Sequence, residues 1–113
     1  MHYSFTIEND ILILKINIKR ATVEISGQLK KDLLEKIEDG HHRVVVDLHE
    51  TDFVDSSFLG VLVAGLKKAT IHNGDMKISG LHPSVKHIFE LTRLYKIFDI
   101  FDKTEEAVAS FQN

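Results

Sequence analysis

The sequence predicts an α/β fold: a mixed, mostly parallel sheet with an N-terminal hairpin and about four helices packed against it. Three observations predict it. Two apolar, strand-like runs flank Asn9-Asp10, the pattern of a tight hairpin. After them, short β-branched runs alternate with longer stretches at helical spacing, which requires crossover connections and parallel strands. Finally, 113 residues with 43% hydrophobic and 27% charged content match one domain, 1–113, that buries its core without a metal or a disulfide.

The elements follow in order. Tyr3 to Glu8 alternates moderately and Ile11 to Ile18 alternates well, with Ile11 and Ile13 making the start of the second strand apolar on both faces, as in a covered strand. Thr22 to Glu38 carries Val23, Ile25, Leu29, Leu33, Leu34 and Ile37 near helical spacing, and Asp39-Gly40 ends it. Arg43 to Leu48 is a nearly continuous β-branched run, suited to a central strand. Ser57 to Ile71 is the second helix, stopped by His72-Asn73-Gly74, and Asp75 to Ser79 is the next strand. Pro83-Ser84 opens a third helix through about Thr92, proline being tolerated in a first turn. Ile97 to Phe101 reads as a short edge strand and Thr104 to Phe111 as a last helix, capped by Asp102 or Thr104.

Composition excludes several classes. There is no cysteine, so a disulfide framework, a zinc ribbon and a cysteine nucleophile are out, and a reducing cytoplasm fits. The net charge is -3 with Lys and Arg scattered among Asp and Glu, which argues against nucleic acid. No apolar run approaches the ~20 residues of a membrane span, and MHYSFTIEND lacks the pattern of a signal peptide. Seven histidines do not assemble a ligand set: His41-His42 diverge, and His82 and His87 are not at i, i+4 spacing. No phosphate-cradling glycine loop is present, and neither a cofactor nor a metal is expected.

Parallel sheets place functional groups at the C-terminal ends of their strands. The stretch FVDSSFLGVL, 53–62, lies just past such an end and opens a helix. Asp55 or Ser56 is placed to cap that helix. An exposed hydroxyl there also sits where a helix favours negative charge. A phosphoryl group would add roughly -1.5 to -2 charges beside Asp55, tolerable to the fold and repulsive to a docked partner. A serine hydrolase would need Gly-x-Ser-x-Gly at this turn; Val54-Asp55-Ser56-Ser57-Phe58 has neither glycine.

At ~100° per residue, Leu59, Leu62, Val63 and Leu66 fall on one face of the helix, expected to pack on the sheet. Gly60, Val61, Ala64 and Lys68 fall on roughly the opposite one. Either the domain itself covers this small, apolar face or a partner does, and the expectation is a partner. Phe58 borders both faces and is open to either role, a core residue or an aromatic anchor.

The stretch from Arg43 to Val108, with VVVDLHETDFVDSSFLGVLVAGLKKA, DMKISGL and HPSVKHIFELTRLYKIFDIFDKTEEAV in that order, resembles the STAS domain, the family of sulphate transporter domains and anti-sigma factor antagonists. The Asp-Ser-Ser junction and the Pro-x-Val-Lys-x-x-Phe-x-x-x-x-Leu-x-x-Ile pattern carry the resemblance together. It implies the STAS fold and, for stand-alone bacterial members, partner switching without catalysis. Unmodified, such a protein binds an anti-sigma factor that is also a serine kinase of the histidine-kinase-like ATPase type. The kinase phosphorylates the first serine after the aspartate and the complex ends; a PP2C-type phosphatase reverses it. By position the phosphoacceptor is Ser56, flanked by Asp55 and Ser57, and the partner surface is Phe58, Gly60, Val61, Ala64 and Lys68. Two departures stand out. Phe58 replaces the usual glycine, and Ile18-Lys19-Arg20-Ala21-Thr22 replaces a loop that often reads Gly-Glu-Leu-Asp. They leave room for an alternative: a STAS scaffold or regulatory subunit of a transporter or stress-sensing complex, without a serine switch.

Overall fold

Asn9 and Asp10 both adopt left-handed backbone, at φ 53° and 65°, the two-residue turn whose twist suits an antiparallel pair. In the computed structural model, which describes residues 1–112, they join β1 (Tyr3–Glu8) to β2 (Ile11–Ile16) in unbroken register from Tyr3 opposite Ile16 to Glu8 opposite Ile11. The remaining elements are β3 (Arg20–Ala21), α1 (Val23–Glu38), β4 (Arg43–Asp47), β5 (Phe53–Val54), α2 (Ser56–Ile71), β6 (Asp75–Ser79), α3 (Pro83–Leu91), a 3₁₀ turn at Leu94–Lys96, β7 (Ile100–Phe101) and α4 (Thr104–Ser110). The main sheet has the order β1-β2-β4-β6-β7. Only the hairpin is antiparallel; β2, β4, β6 and β7 run parallel.

Side-chain alternation along the central strands separates two apolar layers. Leu12, Leu14, Ile16, Val44, Val46, Met76 and Ile78 face α1, α2 and α3, where they meet Leu29, Leu33, Leu62, Val85 and Phe89. Ile11, Ile13 and Val45 face the other way and are covered by Ala107 and Val108 of α4. This is why the start of β2 reads as apolar on both faces. Lys77 lies on the α4 side, 8% exposed, with its Nζ donating to Ser110 Oγ at 2.6 Å and lying 4.2 Å from the Phe111 ring centroid. Gly65 lets α2 press close: a Cβ there would lie 2.9 Å from Leu33 of α1 and collide with the Met76 side chain of β6.

Apart from one-residue shifts at the ends of several elements, the structure differs from the sequence reading in four places. β2 stops at Ile16, and the chain turns so that the Ile18 carbonyl accepts a hydrogen bond from the buried Thr51 hydroxyl at 2.8 Å. β7 begins at Ile100, because Leu94–Lys96 is a 3₁₀ turn that buries Phe98 first. Lys103 caps α4, not Asp102 or Thr104; its N–H donates to the Glu106 carboxylate at 3.3 Å. The fourth is a second, two-stranded sheet. β3 pairs with β5 in parallel, Arg20 opposite Phe53 and Ala21 opposite Val54. Two-residue strands carry no periodicity, so no sequence signal announced them.

Candidate functional site

The small β3–β5 sheet sits past the C-terminal ends of β2 and β4 and fixes the junction. The Lys19 carbonyl accepts from the Asp52 and Phe53 amides at 2.9 and 3.1 Å, and the Asp55 amide donates to the Ala21 carbonyl at 3.2 Å. Asp55 is thereby held between the starts of two helices. Its Oδ1 accepts from the Phe58 amide at 3.0 Å and from the Ser57 hydroxyl at 2.6 Å. Its Oδ2 accepts from the Val23 amide, the first of α1, at 2.9 Å. Thr22, the N-cap residue of α1, makes no side-chain cap, so a carboxylate 32 residues beyond Val23 stands in. One aspartate therefore satisfies amides that two helices leave unpaired. The Ser57 hydroxyl foremost, then the Phe58 amide, hold the Asp55 carboxyl below the usual carboxylate range.

The two serines are not equivalent. Ser57 Oγ donates to Asp55 and lies 2.9 Å from Ser26 Oγ, which donates to the Thr22 carbonyl at 2.9 Å. Ser57 is half-buried. Ser56 is the first residue of α2, is exposed, and stands outside this network. Asp55, not Ser56, is the cap.

The partner face expected from helical geometry needs correction. Phe58 is fully buried and Val61 is 2% exposed, both within the main core. Lys68 reaches Glu38 of α1 at 2.7 Å, and Ala64 is half-buried. Of the residues assigned to that face only Gly60 is exposed. The physical reason is that α2 is covered by two layers, the sheet and α1. Its buried set is Phe58, Val61, Leu62, Gly65 and Ala69, while Leu59, Val63 and Leu66 pack only partly. The free stripe runs along Ser56, Gly60 and Lys67 to Ile71, turned by roughly 70° from the expected one at 100° per residue. Phe58 points inward and leaves the surface around Ser56 open.

Three neighbours were missed. Val23, whose amide binds Asp55, is 71% exposed, and Phe53 is 39% exposed. Arg20 lies over the Phe53 ring at 4.0 Å. Arg20 and Phe53 meet through the β3–β5 pairing, which local spacing does not reveal. An exposed phenylalanine two residues before an Asp-Ser-Ser turn was the available signal.

A second cluster occupies the ends of β4 and β6. His49 Nδ1 lies 2.6 Å from Asp47 Oδ1 and its Nε2 lies 3.0 Å from the Asp102 carbonyl oxygen. The hydrogen bond to Asp47 is the main reason that the His49 pKa is raised. Gly80, at φ 75°, passes under that ring with no room for a side chain. His82 Nε2 meets the His49 carbonyl at 2.6 Å. Among the described residues no three His, Cys, Asp or Glu side chains converge on a possible metal position, and no helix is long and apolar enough to cross a membrane.

Fold and junction define an α/β module with a serine exposed at a helix start and a carboxylate locked beneath it. The STAS domain family matches residues 3–107, and the chain belongs to that family, among the anti-sigma factor antagonists. BtrV of Bordetella bronchiseptica is 31% identical over 85 residues, 75% of this chain and 73% of that one. The anti-sigma-B factor antagonist of Bacillus subtilis is 28% identical over 101 residues, 89% of this chain and 90% of its own. The crystal structure of TM1081 from Thermotoga maritima superposes with a TM-score of 0.93 at 26% identity, covering 98% of this chain and 95% of that one.

Proposed function

We propose that this protein is a phosphorylation-switched binding protein acting in the bacterial cytoplasm. Unmodified, it docks an anti-sigma factor that is also a serine kinase of the histidine-kinase-like ATPase type; phosphorylated on Ser56, it lets that partner go, and a PP2C-type phosphatase resets it. The observation that carries this reading is the division of labour at the junction. Asp55 and Ser57 hold the two helix starts, while the exposed Ser56 hydroxyl has no part in holding them. The fold therefore loses no internal hydrogen bond of this network when Ser56 is modified. The new phosphate sits at the α2 N-terminus, where the helix favours it, and beside the Asp55 carboxylate, where it concentrates negative charge toward the partner. The docking surface of this reading is Ser56 and Gly60 with Val23, Phe53 and Arg20, bordered by Ala64 and Lys68.

The test compares Ser56→Asp, Ser56→Ala and the kinase-treated protein in binding to the cognate anti-sigma factor of the same organism. Ser56→Ala is expected to bind like the wild type. Ser56→Asp and the phosphoprotein are expected to bind at least roughly tenfold more weakly, through like-charge repulsion at the contact. Equal affinity of Ser56→Asp and Ser56→Ala for that partner refutes the switch.

A further inference from the structure

The hairpin leaves β1 at the edge of the main sheet, with β2 on one side and, among the described residues, no strand on the other. Which backbone groups are free follows from the ladder. The Asn17 amide donates to the His2 carbonyl at 2.8 Å, one residue before the Tyr3–Ile16 pair. Bonded and non-bonded pairs alternate in an antiparallel ladder. His2, Ser4, Thr6 and Glu8 therefore turn their amides and carbonyls to β2, and Tyr3, Phe5 and Ile7 turn theirs outward. Natural edges are usually blunted by lysine, proline or a bulge. YSFTIE has neither lysine nor proline, and its register with β2 is one to one throughout.

Beside this edge runs a groove between β1 and α1, formed by two adjoining hollows of about 490 and 530 Å³ that share Met1, Tyr3 and Asp32. Its floor carries Tyr3 and Phe5, and its α1 wall carries Glu24, Asp32, Glu35 and Asp39. These four carboxylates recur along one side of α1 over ~22 Å, at the helical rise of 1.5 Å per residue. Six residues of β1 span ~20 Å, so the acidic wall and the open edge match in length. Alternate side chains of an extended chain are ~7 Å apart; Asp32, Glu35 and Asp39 follow one another at comparable steps of ~4.5–6 Å along the helix, and Glu24 stands ~12 Å before Asp32, at the mouth of the groove. Asp32 is held by the Tyr3 hydroxyl, which donates to its Oδ2 at 2.6 Å, and by the Gln28 amide, which donates to its Oδ1 at 2.8 Å, and Lys36 Nζ lies 5.0 Å from the Phe5 ring centroid, so Glu24, Glu35 and Asp39 are the exposed carboxylates of the wall.

We propose that this groove docks an extended segment of a protein partner, rich in lysine or arginine at alternate positions, which adds to the sheet as a sixth strand beside β1. Main-chain hydrogen bonds to Tyr3, Phe5 and Ile7 hold it, and the acidic wall selects its charge. A second copy of this chain is disfavoured as occupant, because edge-to-edge pairing would bring two acidic walls together. The groove opens at Tyr3 and Glu24, next to Val23 and the Asp55 junction, and runs away from it along α1. It is thus placed to take a tail of whatever protein docks at Ser56, yet its chemistry is separate from that site.

The probe is a nine-residue peptide alternating Lys and Val, with a Glu/Val peptide as its control, titrated into the isotopically labelled protein and followed by amide NMR. The lysine peptide is expected to shift the Tyr3, Phe5 and Ile7 amides saturably. The exposed-site double variant Glu35→Lys, Asp39→Lys should bind it at least roughly tenfold more weakly, with the shifts of Leu12 and Val45 unchanged as a check on folding. Ser56→Asp should bind it like the wild type, so this outcome and the fate of the serine switch are read separately. Equal response to both peptides, no saturable shift at β1, or unchanged affinity in the double variant overturns the proposal. So does a concentration-dependent doubling of mass with protection of the β1 amides, which would assign the edge to a second copy.

Discussion

Phe58 is the sharpest place to test the account of α2. It is fully buried within the main core, at the third position of the helix. Phe58→Ala removes a whole aromatic ring from a packed site, and such truncations cost about 3–5 kcal/mol, depending on how far the surroundings collapse. A domain of this kind has about 5–15 kcal/mol in all, so the variant is expected to fold with little margin. For 113 residues, unfolding entropy near the midpoint makes each kcal/mol worth about 4 °C, so the melting temperature should fall by about 12–20 °C. With a urea m-value of about 2 kcal/mol/M, the midpoint should fall by about 2 M. Urea unfolding followed by circular dichroism reads the stability, and calorimetric titration at low temperature reads partner affinity per folded molecule. The expected result is a large stability loss with affinity changed by less than about threefold. A midpoint shift under about 0.5 M, accompanied by loss of binding, would mean that the ring faces the partner and that the packing of α2 described above is wrong.

Three further outcomes can be checked. Gly80→Ala places a Cβ at φ 75° under the His49 ring; left-handed backbone alone costs about 1–2 kcal/mol, so urea unfolding should show at least that loss. The His49 pKa is raised in the folded state, chiefly by Asp47. Its contribution is therefore fully present below the unfolded-state pKa of about 6.5 and is lost as pH rises through the higher folded-state value. Urea midpoints measured from pH 5.5 to 8.5 should show that decline in the wild type and not in His49→Asn. Tyr3 is pushed up to about 12, first by burial and then by its hydrogen bond to Asp32. Absorbance titration at 295 nm should show the Asp32→Asn variant ionising Tyr3 at lower pH than the wild type, but still above the ordinary value, because burial remains.

Much of the fold was legible because it rests on local signals. Asn9-Asp10 turns the chain where its left-handed backbone suits an antiparallel hairpin. Val44, Val45 and Val46 are apolar on both faces because α4 covers one and the other helices the other. Gly40, at φ 120° just past the end of α1, marks that end. The errors fall where neighbours in space, not in sequence, decide. Lys103 caps α4 although its side chain is a poor cap, because Glu106 reaches back to its amide. Arg20 and Phe53 form a ladder pair that no window of either segment contains.

By itself the sequence determined the order of the helices and the main-sheet strands, the family resemblance, and the placing of Asp55, Ser56 and Ser57 at a strand-to-helix junction, since periodicity, turn residues and a contiguous motif are properties of neighbouring residues. Only the tertiary structure decided what each does there. Helical geometry says which residues of α2 share a face, but not which face two covering layers will bury; α1 and the sheet together took Phe58 and Val61 inward and left Ser56 and Gly60 out. Nor can local sequence show that Asp55 holds the Val23 amide as well as its own helix, because that bond exists only once α1 and α2 have packed with their starts side by side.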